Sequence, residues 1–126
     1  MDVIITKYVL DTNIVLYLLG GVLLNPLPVG EFYLSVISEM EMLSYPGLDK
    51  AEELRIRQFL SQVTVIDLHE ELKNTAIRLR KQYRLKLPDA IICSTALTCD
   101  AVLLSNDIQL TKVTEINVNT VQIRSL

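Results

Sequence analysis

Short, uninterrupted apolar runs alternate with segments that repeat at helical spacing along nearly the whole chain, and few architectures accommodate that order. Ile4 to Leu10 is β-branched and aliphatic and leads straight into Asp11-Thr12-Asn13, a helix-start pattern. Ile14, Val15, Leu18 and Leu19 then recur at helical spacing as far as Gly20-Gly21. Phe32 to Ile37 reads as a second strand, with Ser38 placed to cap a helix that ends before Pro46-Gly47. Asp49 and Glu52 have capping-box spacing and open a helix through Leu60, and Val63 to Ile66 is a short third strand. His69 to Tyr83 carries Leu72, Ala76, Leu79 and Tyr83 on one helical face. Pro88 opens a helix over Asp89 to Thr98, Ala101 to Ser105 is a fourth strand, Asp107 to Lys112 a short turn or helix, and Thr120 to Ile123 a last strand. Strands that are apolar without alternation are buried on both faces, so the expected fold class is α/β, a mostly parallel sheet covered by helices on both sides.

At 126 residues the chain is expected to form one domain, residues 1–126. Half the residues are hydrophobic and 21% are charged, which excludes intrinsic disorder. A net charge of -3 and a pI near 5.1 exclude a protein that grips nucleic acid by bulk positive charge, so any such contact is local. Two cysteines, Cys93 and Cys99, are too few for a disulfide framework or a structural zinc site. Six positions apart on a helix, they point about 120° away from each other and cannot bridge. Residues 1–5 have neither a basic segment nor a small-residue cleavage site, so no secretory leader and a cytoplasmic location are expected. The apolar stretch Ile14 to Leu24 is broken by Gly20-Gly21 and stopped by Asn25-Pro26, short of the roughly 20 residues of a membrane span. A mean hydropathy of +0.34 suggests apolar surface covered by a partner or by a second copy, as in a homodimer.

In parallel α/β sheets ligands bind beyond the carboxyl ends of the strands, where the strand order reverses. Asp11 directly follows the first strand, Asp107 follows the fourth, Glu41 lies early in the helix after the second, and Asp89 starts the helix that leads into the fourth. Each has a structural explanation of its own: Asp11 and Asp107 as helix caps, Glu41 as half of a capping box with Ser38, Asp89 as a charge on a helix N-terminus. If the first and fourth strands are neighbours, all four carboxylates approach one rim, where they repel one another until a cation or raised pKa values compensate. Oxygen-only ligands select Mg²⁺ or Mn²⁺, and such ions suit phosphoryl chemistry in which a water is deprotonated and aimed at phosphorus.

The residues around these acids carry a resemblance. Asp11-Thr12-Asn13 after an aliphatic strand, Ser35-Val36-Ile37-Ser38-Glu39-Met40-Glu41-Met42-Leu43, Leu87-Pro88-Asp89-Ala90-Ile91-Ile92-Cys93-Ser94-Thr95-Ala96-Leu97 and Leu103-Leu104-Ser105-Asn106-Asp107 stand in the order of the four acidic blocks of PIN domains, and the chain resembles that family over nearly its whole length. The resemblance implies a three-layer α/β/α sandwich with a five-stranded parallel sheet in the order 3-2-1-4-5. It also implies an Mg²⁺- or Mn²⁺-dependent endoribonuclease that hydrolyses RNA phosphodiester bonds, most often the toxin of a VapBC-type toxin-antitoxin module with a small antitoxin protein as partner. Carried over by motif, Asp11, Glu41, Asp89 and Asp107 form the catalytic and metal site, with Asn13 and Ser105 in supporting hydrogen bonds. Glu39 competes with Glu41, since the two sit early in one helix about 200° apart; the family's glutamate position selects Glu41. The fourth block departs from the common pattern at Ile108-Gln109-Leu110, where an aromatic residue often closes the motif, and the tail from Val113 to Leu126 is expected to add only the edge strand.

Lys73, Arg78, Arg80, Lys81, Arg84 and Lys86 form the one basic stretch and lead to Asp89, so they are candidate RNA-binding residues, or else a solvated helix face. His69 reads as a cap or surface residue, and Tyr17, Tyr33, Tyr45 and Tyr83 as core packing rather than base-stacking platforms. A haloacid-dehalogenase-like phosphatase would need an aspartate where Asn13 stands. A receiver domain would need a second acid near Asp11 and a lysine after the last strand, and a nucleotide-binding fold a glycine-rich phosphate loop. The alternative that keeps the fold is a PIN-type scaffold or dimerising module without activity.

Overall fold

The computed structural model describes residues 4–125. Its order is β1 (Lys7–Leu10), α1 (Thr12–Leu19), β2 (Glu31–Ser35), α2 (Val36–Leu43), α3 (Lys50–Leu60), β3 (Thr64–Ile66), α4 (Glu70–Tyr83), α5 (Leu87–Thr98), β4 (Val102–Leu104), a 3-10 turn (Ile108–Lys112) and β5 (Val118–Asn119). All strand pairings are parallel, in the order β3-β2-β1-β4-β5, as expected. The expectation about the leader rests on residues 1–5, of which 1–3 lie outside the described residues, as does Leu126.

Burial on both faces explains the unbroken apolar runs. In β1, Val9 faces a core built with α4 and α5 (Ala76, Leu79, Ala90, Cys93), while its neighbour Leu10 faces a second core built with α1, α2 and α3 (Ile14, Val15, Met42, Ile56, Phe59). Leu103 and Leu104 divide in the same way in β4. Period-2 alternation therefore persists in space although it is hidden in the sequence, because each side of the pleat meets its own helical layer. At about 0.8 kcal/mol per buried methylene, these two layers supply most of the drive to fold. Ser94 and Thr95, polar and fully buried in α5, donate their hydroxyls to the Leu72 and Ile91 carbonyls at 2.7 and 2.8 Å.

Among the boundaries that differ from the sequence reading, three have a clear cause in the structure. The first strand begins at Lys7 rather than Ile4, because its register partner in β2 begins at Glu31; Ile4 and Ile5 stay exposed. The second strand ends at Ser35, whose hydroxyl caps α2 by accepting from the Ile37 N–H at 3.2 Å. The β-branched pair Val36-Ile37 forms the first turn of that helix, and Ser38 is not the cap but a buried residue within it. The edge strand is Val118–Asn119 and not Thr120 to Ile123, since only the former residues lie alongside Leu103 and Leu104. Beyond the end of β4, Asn106 instead holds Val121 from both sides (2.9 and 2.8 Å), and Ile123 bridges antiparallel to Leu23. The tail therefore clasps the loop after α1 as well as extending the sheet.

Candidate active site

β1 is central, with β2 on one side and β4 on the other, so the chain order reverses at the carboxyl ends of β1 and β4. Asp11 extends that end: its N–H donates to the Leu104 carbonyl at 3.0 Å, which places its side chain beside Ser105. Ser105, fully buried, donates its hydroxyl to Asp11 Oδ2 at 2.7 Å and accepts the Asp107 N–H at 3.0 Å. One hydroxyl thus ties the Asp11 carboxylate after β1 to the backbone of Asp107 after β4. Asp11 also accepts from the Thr12 N–H at 2.8 Å and caps α1, and Asp107 accepts from the Gln109 N–H at 2.9 Å and caps the 3-10 turn.

Asp11, Glu41, Asp89 and Asp107 line a single open cleft of about 740 Å³, with Asn13 at its wall. Glu39, on the other side of α2, does not line it. Asp89 enters from the first turn of α5, which opens with Leu87-Pro88 behind Lys86 and has no side-chain cap. Its pKa is raised by burial first, then by the charges of Asp107 and Asp11, against the lowering charge of Lys86; Glu41 adds to the rise. Burial also raises Asp11, outweighing the hydrogen bonds from Ser105 and Thr12, and the charge of Asp107 adds to it. No lysine or arginine forms an ion pair with any of the four acids among the described residues. Beneath them the Cys93 thiol is pushed up to about 12, by burial and then by the charges of Asp89, Asp11 and Asp107, so it is inert as a nucleophile.

Glu41 has a hydroxyl chain of its own. Thr12 Oγ1 lies 2.8 Å from Ser38 Oγ and 2.9 Å from Glu41 Oε1. A threonine has one hydroxyl proton, so when Thr12 donates to the Glu41 carboxylate, the buried Ser38 must donate to Thr12. Ser38 is thus tied to Glu41 through Thr12 rather than by the capping box that the sequence suggested.

The fit to a divalent ion is chemical. The donors are carboxylate oxygens, two of which are costly to leave ionised without a counter-charge. Among the described residues no three His, Cys, Asp or Glu side chains are gathered tightly enough to cage an ion by themselves. Such an open set suits Mg²⁺, which keeps several waters and takes only one or two carboxylates.

A family model described as "PIN domain" matches residues 8–116, which span all four acids. The chain belongs to the PIN domain family. Its fold matches VapBC2 from Rickettsia felis, solved bound to a DNA fragment from its promoter, with a TM-score of 0.78 and 19% identity over 93% of this chain and 100% of that one. It matches a toxin-antitoxin complex from Klebsiella pneumoniae at 0.71 and 28% identity over 86% and 94%, and VapBC-1 from nontypeable Haemophilus influenzae at 0.71 and 22% over 91% and 98%. No curated protein matches the sequence itself.

In this PIN domain the basic stretch lies outside the cleft, although Lys86 is close enough to lower the pKa of Asp89. Lys73, Arg78, Arg80, Lys81, Arg84 and Lys86 are exposed and none lines the cleft. Arg78 is held by Glu115 in a bidentate pair, both bonds 2.9 Å, and Lys73 pairs with Glu70 at 3.4 Å. His69 is the N-cap of α4, accepting the Leu72 N–H at 3.3 Å. Tyr17, Tyr33 and Tyr83 pack against the two cores, but Tyr45 is 70% exposed and lines the cleft. Sequence reasoning missed the role of Thr12, whose partners Ser38 and Glu41 are 26 and 29 positions away, and missed Arg55 on α3. No helix of the described residues is long and apolar enough to cross a membrane.

Proposed function

We propose that this PIN domain is a divalent-metal-dependent endoribonuclease and the toxin of a two-component module, with a small antitoxin protein covering the cleft. The observation that supports it most is the convergence of four carboxylates, from four separate segments, on one cleft with no ion pair to a lysine or arginine among the described residues. Asp11, Asp89 and Asp107, with Glu41 on the α2 side, are the residues that would hold Mg²⁺ or Mn²⁺. When bound, such an ion neutralises their charge, activates water toward phosphorus and offsets charge on the leaving oxygen.

The chain's own residues do the positioning. Ser105 keeps Asp11 and the Asp107 backbone in register, and the Ser38-Thr12 chain holds Oε1 of Glu41. Asn13, exposed at the cleft wall, offers an amide to the sugar-phosphate backbone. Lys86 carries positive charge close enough to lower the pKa of Asp89, so it is the member of the basic stretch best placed to draw a phosphate toward the acids. The other basic residues of α4 and its C-cap give diffuse, salt-sensitive attraction. The antitoxin and a second copy of the chain rest on the likeness to toxin-antitoxin complexes and on apolar side chains left exposed, such as Leu16, Leu87 and Ile108.

The test is cleavage of RNA by the purified chain with Mg²⁺ or Mn²⁺, alongside EDTA and the Asp11→Ala variant. Cleavage that EDTA abolishes and Asp11→Ala reduces at least a hundredfold supports the reading. Cleavage unchanged in either control refutes it.

A further inference from the structure

The cleft extends well past the acids. It follows α1 from Asp11 at the N-terminus to Leu19 and Gly20 at the C-terminus, a span of about 12 Å at the rise of an α-helix. At that far end stands Arg55 from α3, and Tyr45, from the loop between α2 and α3, also lines the cleft. Five carboxylates line the cleft, those of Asp11, Glu41, Glu52, Asp89 and Asp107, and Arg55 is the one lysine or arginine among the described lining residues.

Arg55 is a poor candidate for a merely solvated charge. It makes no ion pair among the described residues. Glu52, one turn earlier on the same helix, has its carboxylate in the capping box with Asp49. One guanidinium N–H donates to the Leu19 carbonyl at the end of α1, which leaves most of its five donors free. A fork held in place by one bond loses less entropy when a phosphate binds the rest. Tyr45, which lines the same cleft, is 70% exposed, although a tyrosine covered by nothing leaves a large apolar face in water.

We infer that Arg55 and Tyr45 provide a second nucleotide-binding region of the cleft, a subsite in which Arg55 binds a phosphate other than the one cut and Tyr45 stacks on a base of the same strand. The inference rests on the nuclease reading above and adds a ruler to it. With α1 between the subsite and the acids, the enzyme favours strands long enough to span both. Stacking tolerates any base, so the subsite gives affinity and register rather than sequence choice.

The test uses a ladder of oligoribonucleotides that lengthen on either side of a mapped cleavage site. KM is measured for cleavage, and Kd for binding of the same oligomers in EDTA without turnover. In the wild type both constants fall by roughly fivefold or more once the strand reaches the subsite. In Arg55→Gln and in Tyr45→Ala that gain with length is lost, and Arg55→Gln lowers the slope of log affinity against log salt by about 0.7. Arg55→Lys, which keeps the charge, keeps the salt slope, and Tyr45→Phe keeps the length gain. A purely structural role for either residue would scale all lengths alike and leave the salt slope intact. A length gain and salt slope unchanged in both Arg55→Gln and Tyr45→Ala overturn the subsite and leave that end of the cleft to a protein segment. If the wild type fails to cleave RNA with either metal, the nuclease reading fails, while the binding measurements still decide the subsite.

Discussion

Asp89→Asn separates the two opposing consequences of crowded carboxylates. Asp89 is half-buried, and burial with the charges of Asp107 and Asp11 raises its pKa. The folded state therefore holds the Asp89 proton more tightly than the unfolded chain does, and the ionised form costs stability at neutral pH. Two unit charges about 8 Å apart repel by about 2 kcal/mol at an effective dielectric of 20, and solvent on the open side of the cleft reduces this further. The substitution also gives up about 0.5 kcal/mol, because an acid in the first turn of α5 favours the helix dipole. Asp89→Asn should thus stabilise the metal-free protein by about 1 kcal/mol, or raise its Tm by about 4 °C. Metal reverses the order. At a hundred times its Kd an ion stabilises the wild type by about 2.7 kcal/mol, and Asp89→Asn should lose most of that gain. Thermal unfolding of both proteins, in EDTA and across an Mn²⁺ titration, reads the two effects together. A lower Tm for the variant in EDTA, or equal gains from Mn²⁺ in both proteins, would refute the argument that repulsion among these acids is relieved by a cation.

Thr12→Val keeps the shape and removes the hydroxyl, leaving Ser38 Oγ buried without its partner; it should cost about 1–2 kcal/mol in denaturant unfolding and lower kcat on RNA, whereas Thr12→Ser should be nearly neutral in both. Gly30 lies where β1 and β2 begin, and a Cβ there would strike the Thr6 carbonyl and come within 2.7 Å of the Tyr8 ring, so Gly30→Ala should destabilise by about 2 kcal/mol in the same assay. Arg84 caps α4 with φ at 55°, and Arg84→Gly should stabilise by about 0.5–1 kcal/mol in thermal unfolding while weakening RNA binding, which would part its backbone role from its charge. Glu115 has its pKa lowered chiefly by the hydrogen bond from Arg78, so its stabilisation, about 0.5 kcal/mol for so exposed a pair, is present above the unfolded pKa near 4.5 and lost as pH falls through the depressed folded value. The Tm difference between wild type and Glu115→Gln should accordingly close below pH 4.5, and a difference that persists at lower pH would contradict that assignment.

What could be read from the sequence was whatever local chemistry determines. The apolar runs gave the strands because both faces of the sheet are covered, and Asp49 with Glu52 gave a helix start because the capping box is complete within four residues. Strand ends were misread where a distant partner sets them. Thr120-Val121 has strand composition but no room beside β4, and Val36-Ile37 has it too but follows Ser35, which has already capped α2. The left-handed residue ending α4 had no signal, because Arg84 stands where a glycine would have announced it.

The acids show why the structural and functional explanations of one residue need not compete. A carboxylate that caps a helix has one oxygen fixed by a backbone N–H, and that fixes where the other oxygen can go. Asp107 accepts the Gln109 N–H through Oδ1, and among the described residues its Oδ2 has no donor, although the residue lines the cleft. The cap fixes Oδ1 of Asp107 and leaves Oδ2 unbonded, and at Asp11 the second oxygen is instead taken by Ser105. A motif confined to the four acidic blocks could therefore suggest the near end of the cleft. The far end depends on how α3 packs against α1, so Arg55 carries no local sign that it lines the same cleft as Asp11, 44 positions earlier in the chain. In the proposed subsite, selectivity for strand length would follow from that packing rather than from the motif, so the length ladder with Arg55→Gln and Tyr45→Ala reports on the fold as much as on the chemistry.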